Sequence, residues 1–371
     1  MFICPTGRRR GWAWELNSEL RIVELNPFYL PYDGGIEKRI AAITSRLSAR
    51  HEMFVLTSRL PGTPEREDIG GATVIRLPSS YTGKYNPPIV RSAGVPDALR
   101  TLRADVVDYH YRWAHTYNRA FFRHSGNRIV TFHNQYGEGT GLLGAASRLN
   151  DFLYLRRMKG LSVMAISDFV RSQLVDRGID GRMVQTVVNG IDVAEHKAAD
   201  DGFALFIGRL VPTKGLWHLV DAAVMTGVPL KIAGSGPMLE RLKRRVAGSN
   251  VELLGRVDDK RKEELLCRCS FFVMPSLQES FGIALLEGME HGKAVIVSDT
   301  GGLPAVAGNA GLIVPRGDTE ALAEAMKRLW DDEELRRELG TRARMRAKTY
   351  SWDEIVPQIE SVYRSLCDTG A

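Results

Sequence analysis

The stretch 271-FFVMPSLQESFGIALLEGMEHGKAVIVSDTGG-302 contains the repeating unit of the fold. It begins and ends with short apolar runs that are typical of buried strands. Between these runs, Ile283, Leu285 and Leu286 favour a helix that packs on a core. Ser280 is a suitable N-cap residue for that helix. The segment therefore predicts a strand, a loop, a helix and a second strand.

The same alternation continues along most of the chain. Strands are predicted at residues 20–26, 53–58, 73–78, 105–110, 128–134, 162–167, 184–190, 203–209, 229–234, 251–256, 271–275, 294–299 and 311–315. Helices are predicted between them, for example at residues 35–50, 168–178, 216–227, 238–248 and 318–332. Regular alternation of this kind indicates parallel sheets with helices on both faces. The fold class is therefore α/β, with two doubly wound, Rossmann-like domains.

The length of 371 residues also favours two domains. The polar, Ala- and Asp-rich segment 191–202 lacks an apolar period and is the predicted joint. We therefore expect an N-terminal domain at 1–192, a C-terminal domain at 193–350 and a final helix at 351–371. Residues 1–19 precede the first clear strand. They are interpreted as a disordered leader or as the result of a translation start assigned too far upstream.

Composition indicates a globular protein, with 44% hydrophobic and 25% charged residues. No apolar run approaches the roughly 20 residues of a membrane helix. The first 20 residues lack the apolar region of a signal peptide, and four cysteines in so long a chain indicate no disulfide framework. These features predict a cytoplasmic protein.

The net charge of +6 is compatible with an anionic partner. A nucleotide, a phosphorylated substrate or the inner face of an anionic membrane would each suit it. No nucleic-acid partner is expected, because the basic residues are scattered and no recognition motif accompanies them.

Glu279 and Glu287 raise the question of a glycosidase, whose chemistry uses a pair of carboxylates. On one helix, eight residues would separate them by roughly 12 Å. Glycosidase pairs lie roughly 5–9.5 Å apart. Glu279 is instead predicted in the loop before the helix and Glu287 about two turns into it, so the two glutamates should have separate roles.

Loops at strand ends supply candidate phosphate ligands. Gly34 and Gly35 follow the first strand and precede a helix, whose N-terminal N–H groups suit a phosphate. An ordinary tight turn explains this glycine pair equally well. In 206-FIGRLVPTKG-215, Arg209 offers a bidentate grip and Lys214 a point charge, although two exposed loop cations remain the alternative. A second glycine loop, 233-AGSGP-237, ends the next strand and favours the phosphate site.

His133 ends a strand in 130-VTFHNQYG-137 and is a candidate catalytic residue, although a lone histidine is more often structural. No metal is expected, because no His, Asp and Glu arrangement indicates one and 267-CRC-269 lacks zinc-ligand spacing. Arg209, Lys214 and helix N-termini would then stabilise a leaving group.

The motifs together resemble glycosyltransferase family 4. The resemblance rests on 33-DGGIEK-38, 131-TFHN-134, 187-VVNGID-192, 208-GRLVPTKG-215, 233-AGSGP-237 and, above all, the Glu-x7-Glu segment that begins at Pro275. It runs in order through nearly the whole chain. It implies a GT-B fold, in which two Rossmann-like domains face each other and the C-terminal helix crosses back to the N-terminal domain. It also implies a retaining hexosyltransferase that uses a nucleotide-sugar substrate and no cofactor or metal.

The resemblance assigns roles to individual residues. Arg209 and Lys214 would hold the donor diphosphate, Glu279 and His133 would face the transferred sugar, and Glu287 would bind the ribose. Arg256 and Val257 would lie in the loop beside the base. The residues implied for donor binding are Gly34, Gly35, Gly234, Gly236, Arg256, Val257, Ser280, Phe281, Gly282, Ile283 and Glu287.

Several alternatives remain open at this point. A sugar-nucleotide 2-epimerase and a phosphorylase or synthase of a disaccharide share the wider fold, and a non-catalytic sugar-binding module is a third class. The donor could carry UDP or GDP, and the acceptor could be a glycan, a lipid-linked sugar or a small molecule. Segment 136–160 mixes apolar and basic residues, so it suits either packing on its own domain or peripheral contact with lipid phosphates.

Overall fold

The computed structural model of the protein describes residues 18–32, 34–82, 88–111, 113–138, 141–196 and 199–368. The expected leader at 1–19 lies almost entirely outside these ranges. The strands are β1 (Arg21–Leu25), β2 (Glu52–Ser58), β3 (Arg66–Ile69), β4 (Ala72–Leu77), β5 (Ser79–Thr82), β6 (Ile89–Ser92), β7 (Val106–Tyr109), β8 (Asn127–Phe132), β9 (Ser162–Ala165), β10 (Val184–Thr186), β11 (Ala204–Ile207), β12 (Leu230–Ala233), β13 (Val251–Gly255), β14 (Phe271–Met274), β15 (Ala294–Ser298) and β16 (Gly311–Val314).

The α-helices are α1 (Gly35–Leu47), α2 (Val95–Leu102), α3 (His115–Arg123), α4 (Gly141–Met158), α5 (Asp168–Val175), α6 (Leu216–Thr226), α7 (Leu239–Val246), α8 (Asp259–Arg268), α9 (Ile283–Glu290), α10 (Leu303–Ala307), α11 (Thr319–Asp331), α12 (Glu333–Lys348) and α13 (Trp352–Asp368). Short 3₁₀ turns occur at Gly181–Met183 and Pro212–Lys214. Among the described residues, no helix is both long enough and apolar enough to cross a membrane.

Two largely parallel sheets organise the described chain. The first has the strand order β10-β9-β8-β7-β1-β2-β4-β3, in which only the β3–β4 pairing is antiparallel. The second has the order β13-β12-β11-β14-β15-β16 and is parallel throughout. Helices cover both faces of a parallel sheet, which explains why strands such as β14 and β15 are buried along their whole length. The predicted pair of Rossmann-like domains is confirmed.

All thirteen predicted strands are present, and the described residues contain three strands that were not predicted. Strand β3 and the β5–β6 hairpin are short, and half of their side chains face solvent. The segments Arg66–Ile69 and Ser79–Thr82 are mostly polar, so they lack the apolar pattern that identified the other strands.

The C-terminal helix packs on the first sheet. Trp352, Ile355, Ile359 and Tyr363 of α13 are buried in one core with residues of β1, β2 and α1. Each such side chain stabilises this contact by roughly 1.5–3 kcal/mol. The entry to α13 is tied to the segment between the sheets, because Ile191 forms a parallel bridge with Ser351. The expected crossing of the last helix back to the N-terminal domain is confirmed.

Candidate active site

The loop before α9 joins the two domains. Helix α9 begins at Ile283 with Gly282 as N-cap, so the prediction of Ser280 as the N-cap is wrong. The Ser280 hydroxyl instead accepts a hydrogen bond from the backbone N–H of Gln135 at 2.8 Å. The Ser280 carbonyl accepts a second from the Ser167 hydroxyl, also at 2.8 Å. The side chain is used between domains because Gly282, at φ +102°, turns the chain into the helix without a side-chain cap.

Glu279 lies in this loop, as predicted, and faces Lys214. Its Oε2 is 2.5 Å from the Lys214 ammonium, and the two side chains are only 15% and 13% exposed. Lys214 ends the 3₁₀ turn that follows β11. Because Lys214 is already paired with a carboxylate, a bound anion would compete with Glu279 for it.

Glu287 occupies a separate position on α9. Since the helix begins at Ile283, Glu287 lies just over one turn into it, not the predicted two turns. Its Oε1 is 2.8 Å from the ammonium of Lys262, which belongs to α8. The two glutamates are thus held by lysines from different elements, an arrangement unlike a nucleophile and acid pair that share one bond.

Arg209 lies at the end of β11 and reaches towards the first domain. Its side chain is 63% exposed, and its guanidinium lies 3.6 Å from Glu138 Oε1. Asn134 donates to the other oxygen of Glu138 at 2.6 Å. This exposed ion pair is weak, with a typical value below about 1 kcal/mol, so Arg209 is available to a stronger anionic ligand.

The first glycine loop brings two helix starts together. Gly34 is the N-cap of α1 and Gly35 its first residue. A Cβ on Gly35 would lie 3.0 Å from Cδ1 of Ile283, the first residue of α9. Both helices therefore direct N-terminal N–H groups and partial positive charge towards the space between the domains.

The second glycine loop supports Arg209 from behind. A Cβ on Gly234 would overlap the carbonyl oxygen of Gly208, and one on Gly236 would overlap that of Leu210. Leu210 N–H in turn donates to Ser235 at 2.8 Å. The close approach of these backbones requires glycine and sets the position of the Arg209 loop. Contact of either glycine with a donor stays a prediction.

The remaining residues implied for the donor line the same end of the second sheet. Arg256 and Val257 occupy the loop between β13 and α8, where Arg256 is exposed and Val257 half-buried. Phe281 is buried, and its ring packs edge-on to Tyr350 with centroids 6.0 Å apart. Its side chain therefore belongs to the core, so any contact with a donor would use its backbone.

His133 lies at the end of a buried polar chain in the first domain. Its Nε2 is 3.0 Å from Nδ1 of His110, whose Nε2 is 2.5 Å from a carboxylate oxygen of Glu24. Tyr363 of α13 places its hydroxyl 2.9 Å from Glu24 and 2.8 Å from Asp108. The C-terminal helix is thus connected to His133 through hydrogen bonds.

Burial and mutual charge determine the protonation of this chain. Burial raises the pKa of Asp108, and the nearby Glu24 raises it further. Burial lowers the pKa of His110, but Asp108 and Glu24 outweigh it and raise that pKa overall. A raised pKa favours the charged form of His110, whose two ring N–H groups suit Glu24 on one side and Nε2 of His133 on the other.

Two family models match the chain. A family model described as Glycosyltransferase Family 4 matches residues 33–195, and one described as Glycosyl transferases group 1 matches residues 190–346. The two matches meet between the sheets and together cover both. The chain is a family 4 glycosyltransferase.

Curated relatives match this glycosyltransferase over nearly its whole length. A phosphatidyl-myo-inositol mannosyltransferase of Mycolicibacterium smegmatis is 28% identical, with 95% of each chain covered. A GDP-mannose-dependent alpha-(1-6)-phosphatidylinositol dimannoside mannosyltransferase of Mycobacterium tuberculosis is 27% identical, with 90% of this chain and 93% of the relative covered. An uncharacterised glycosyltransferase of Methanocaldococcus jannaschii is also 27% identical, with 92% and 97% covered.

Solved structures confirm the GT-B fold of the glycosyltransferase. Sucrose-phosphate synthase from Thermosynechococcus elongatus superposes with a TM-score of 0.78 at 19% identity, covering 94% of this chain and 99% of that one. Anabaena HepE, solved in complex with UDP-glucose, gives 0.75 at 17% identity, covering 94% and 100%. At these identities the likeness concerns the fold.

The glycosyltransferase site contains partners that the motifs did not indicate. Lys262, Glu138, Gln135 and Ser167 carry no local signal, because each meets a residue far away in sequence. Glu24, Asp108 and Tyr363 are different, because charged or hydroxyl groups within otherwise apolar strand and helix faces are informative. Glu24 in β1 and Asp108 in β7 could have been selected on that basis.

Proposed function

We propose that this glycosyltransferase transfers a hexosyl group from a UDP- or GDP-linked sugar to a hydroxyl of a glycan, lipid or small-molecule acceptor, with retention of anomeric configuration. One observation carries the proposal: the starts of α1 and α9 meet at Gly35 and Ile283, beside the Lys214–Glu279 pair. Two helix N-termini and a half-buried lysine suit a diphosphate, and the adjacent carboxylate suits sugar hydroxyls.

The proposed reaction needs no nucleophile from the protein. The bond between the anomeric carbon and the diphosphate oxygen breaks, and Lys214, Arg209 and the helix N-termini stabilise the departing charge. The acceptor oxygen forms its bond on the same face and its proton passes to the leaving phosphate. Glu279 binds hydroxyls of the transferred sugar and Glu287 those of the ribose. In this proposal the cations of the chain replace a metal at the diphosphate.

Names of the relatives suggest which substrates to test first. Two of them are mannosyltransferases that act on phosphatidylinositol lipids, and one of these is named for GDP-mannose. GDP-mannose with a lipid acceptor is therefore the first combination for this chain. UDP-glucose and UDP-N-acetylglucosamine follow.

A basic and apolar face on α4 supports peripheral membrane contact as part of this proposal. Leu149, Phe152 and Leu153 are 62%, 49% and 54% exposed and lie on neighbouring turns. Arg156 stacks on the Phe152 ring at 5.4 Å, and Arg148, Arg157 and Lys159 are also exposed. Such a helix can insert its apolar residues between headgroups while its cations contact lipid phosphates.

Transfer is tested by nucleotide release. Each donor is incubated with and without acceptor, free nucleoside diphosphate is quantified, and the product anomer is determined by NMR. Lys214→Ala should reduce turnover by at least ~100-fold, as removal of a transition-state charge partner does. Lys243→Ala is the matched control, because Lys243 forms an exposed pair with Glu240 in the same domain. Near-normal turnover of Lys214→Ala would refute the assignment, and a change in the sugar without acceptor would indicate an epimerase.

Membrane contact is tested separately by co-sedimentation with vesicles that contain phosphatidylinositol. The double variant Phe152→Ser, Leu153→Ser should lose binding. Met345→Ser on α12 is the control, because Met345 is 68% exposed but lies on the other domain. Equal binding of the two variants would contradict a role for the α4 face.

A further inference from the structure

A cluster of metal-ligand side chains lies at the C-terminal end of α9, whereas the start of that helix faces the cleft. His196 comes from the segment between the two sheets, Glu263 and Cys267 lie one turn apart on α8, and His291 directly follows α9. One ligand atom from each of the four lies within 4.8 Å of those of the others. Three segments that are distant in sequence thus bring together two imidazoles, a thiol and a carboxylate.

The hydrogen bonds of His291 aim one nitrogen at the centre of this cluster. Its Nδ1 lies 2.8 Å from the carbonyl oxygen of Glu287, which can only accept, so Nδ1 carries a proton. In the neutral ring, Nε2 then has a lone pair. This atom is buried without a hydrogen bond, although Glu263 Oε1 lies 2.9 Å away, and the side chain is 5% exposed. A lone pair that faces a carboxylate in a buried site is unfavourable unless a cation lies between them.

His196 is arranged in the same way, except that its Nε2 faces outward and its Nδ1 faces the cluster. Its Nε2 is 2.6 Å from Glu290, and its Nδ1 is 2.8 Å from the same Glu263 oxygen. Glu290 also accepts from the backbone of Ala194 at 3.0 Å and is 4% exposed, so it is fixed as an outer partner. Each histidine therefore has one nitrogen held by an acceptor outside the cluster and the other directed inward. Outer partners of this kind orient histidines that bind a metal.

The two inward-facing rings lie against each other. The imidazoles are stacked with centroids 3.9 Å apart and an interplanar angle of 20°. Because an imidazole nitrogen binds a metal in the plane of its ring, the two rings would tilt apart to share one ion. One divalent cation would then satisfy both inward nitrogens.

We propose that His196, Glu263, Cys267 and His291 form a structural site for a divalent transition metal of zinc type. Nδ1 of His196, Nε2 of His291, the Cys267 thiolate and a Glu263 oxygen are a four-ligand set that zinc accepts. The Cys267 thiol loses its proton on binding, so the two anionic ligands balance the charge of the ion. The site lies at the opposite end of α9 from the helix start proposed to hold the diphosphate, so we assign this metal no part in the transfer step.

The consequence is mechanical coupling to the proposed donor site. His291 follows α9, which carries Glu287, and Glu263 follows Lys262 on α8. The metal would therefore hold together the two helices that carry the Glu287–Lys262 pair, at 2.8 Å, which belongs to the proposed donor site. It would also attach the interdomain segment at His196. The metal site itself does not depend on the proposed transfer, because metal content can be measured without a substrate.

The test uses the full chain with any polyhistidine tag removed. The protein is stripped with a chelator, equilibrated with Zn²⁺ and dialysed, and bound metal is measured by mass spectrometry. We expect about one zinc per chain, and loss of most of it in Cys267→Ser and in His291→Gln. His218→Gln is the matched control, because His218 is a half-buried histidine that hydrogen-bonds Thr319 on α11. It should retain full metal content.

Loading with Co²⁺ provides a second readout. Thiolate ligation should give a sulfur-to-cobalt charge-transfer band in the wild type that Cys267→Ser lacks. His196→Gln, on a segment outside the sheets, keeps the test informative if the other variants fail to fold, and it should lower zinc affinity at least 10-fold. Absence of stoichiometric zinc in the wild type, or metal content in the variants equal to that of His218→Gln, would overturn the site.

Discussion

Replacement of Tyr363 by phenylalanine tests the buried chain that links α13 to His133. The hydroxyl of Tyr363 has one proton but lies 2.9 Å from Glu24 and 2.8 Å from Asp108. Both buried carboxyl groups therefore depend on this single hydroxyl, which can donate its proton to either of them. The substitution removes both hydrogen bonds and preserves the ring.

The expected cost follows from the burial of both carboxyl groups, which are 0% exposed. A buried hydrogen bond to a charged group contributes about 1.5–3 kcal/mol, and the partner left without it gains no water here. We expect Tyr363→Phe to lose about 2–3 kcal/mol of local stability. Tyr81→Phe is the control, because the Tyr81 hydroxyl donates to the carbonyl of Arg59 near the surface, where water can replace it. It should cost less than about 1 kcal/mol.

Hydrogen exchange measures this effect without assuming that two domains unfold together. A loss of about 2 kcal/mol should accelerate exchange of the β1 and β7 amides by roughly 30-fold, since 1.4 kcal/mol corresponds to a factor of ten. The second sheet should be unaffected. Equal exchange rates in Tyr363→Phe and Tyr81→Phe would refute the hydrogen-bonded link. Slower sugar transfer in Tyr363→Phe at unchanged donor affinity would further indicate that the chain positions His133.

Two further predictions concern the donor loop and acid stability. Gly301→Ala should weaken donor binding at least 10-fold in a titration. Gly301 has φ +61°, and a Cβ there would overlap the carbonyl oxygen of Glu279. Gly227→Ala is the control and should leave donor binding unchanged, because Gly227 has a similar φ of +71° but open space around it. Burial raises the pKa of Glu360, but hydrogen bonds from neighbouring arginines and His51 lower it overall to about 2. The unfolded value is about 4.3, so the wild-type advantage in melting temperature over Glu360→Gln should be full above pH 5 and vanish near pH 2. A constant difference across that range would contradict this.

Sequence patterns predicted the sheets because the strands are buried on both faces. Strand β14 contains only apolar residues and β15 only one polar residue, Ser298 at its end, and this is sufficient to identify them. The loops were harder to interpret. Ser280 has the chemistry of an N-cap, yet it contacts the other domain, because the N-cap position is occupied by Gly282. Local propensity cannot indicate that a partner 145 residues away in sequence will compete for a side chain.

The site shows the same division between local and distant information. The motifs located Lys214 and Glu279 because each lies in a recognisable loop, and the structure brings them to 2.5 Å. Lys262 and Glu263 lie on a helix of mixed charge, where lysine and glutamate are ordinary surface residues. Their partners become visible only in the packed structure. Lys262 meets Glu287, and Glu263 meets two histidines.

The strengths of the contacts described between the domains suggest how a donor enters. Across the cleft, Lys38 pairs with Asp259 at 3.4 Å and Arg209 with Glu138 at 3.6 Å, both with substantial solvent exposure. Such pairs contribute about 0–1 kcal/mol each, and the two hydrogen bonds of Ser280 add about 0.5–1.5 kcal/mol each. Water can replace all four when the cleft opens. On the opposite side, α13 buries a continuous apolar face against the first sheet. Opening at the cleft therefore costs a few kcal/mol, whereas detachment of α13 costs far more, so the domains should separate by rotation about the α13 side.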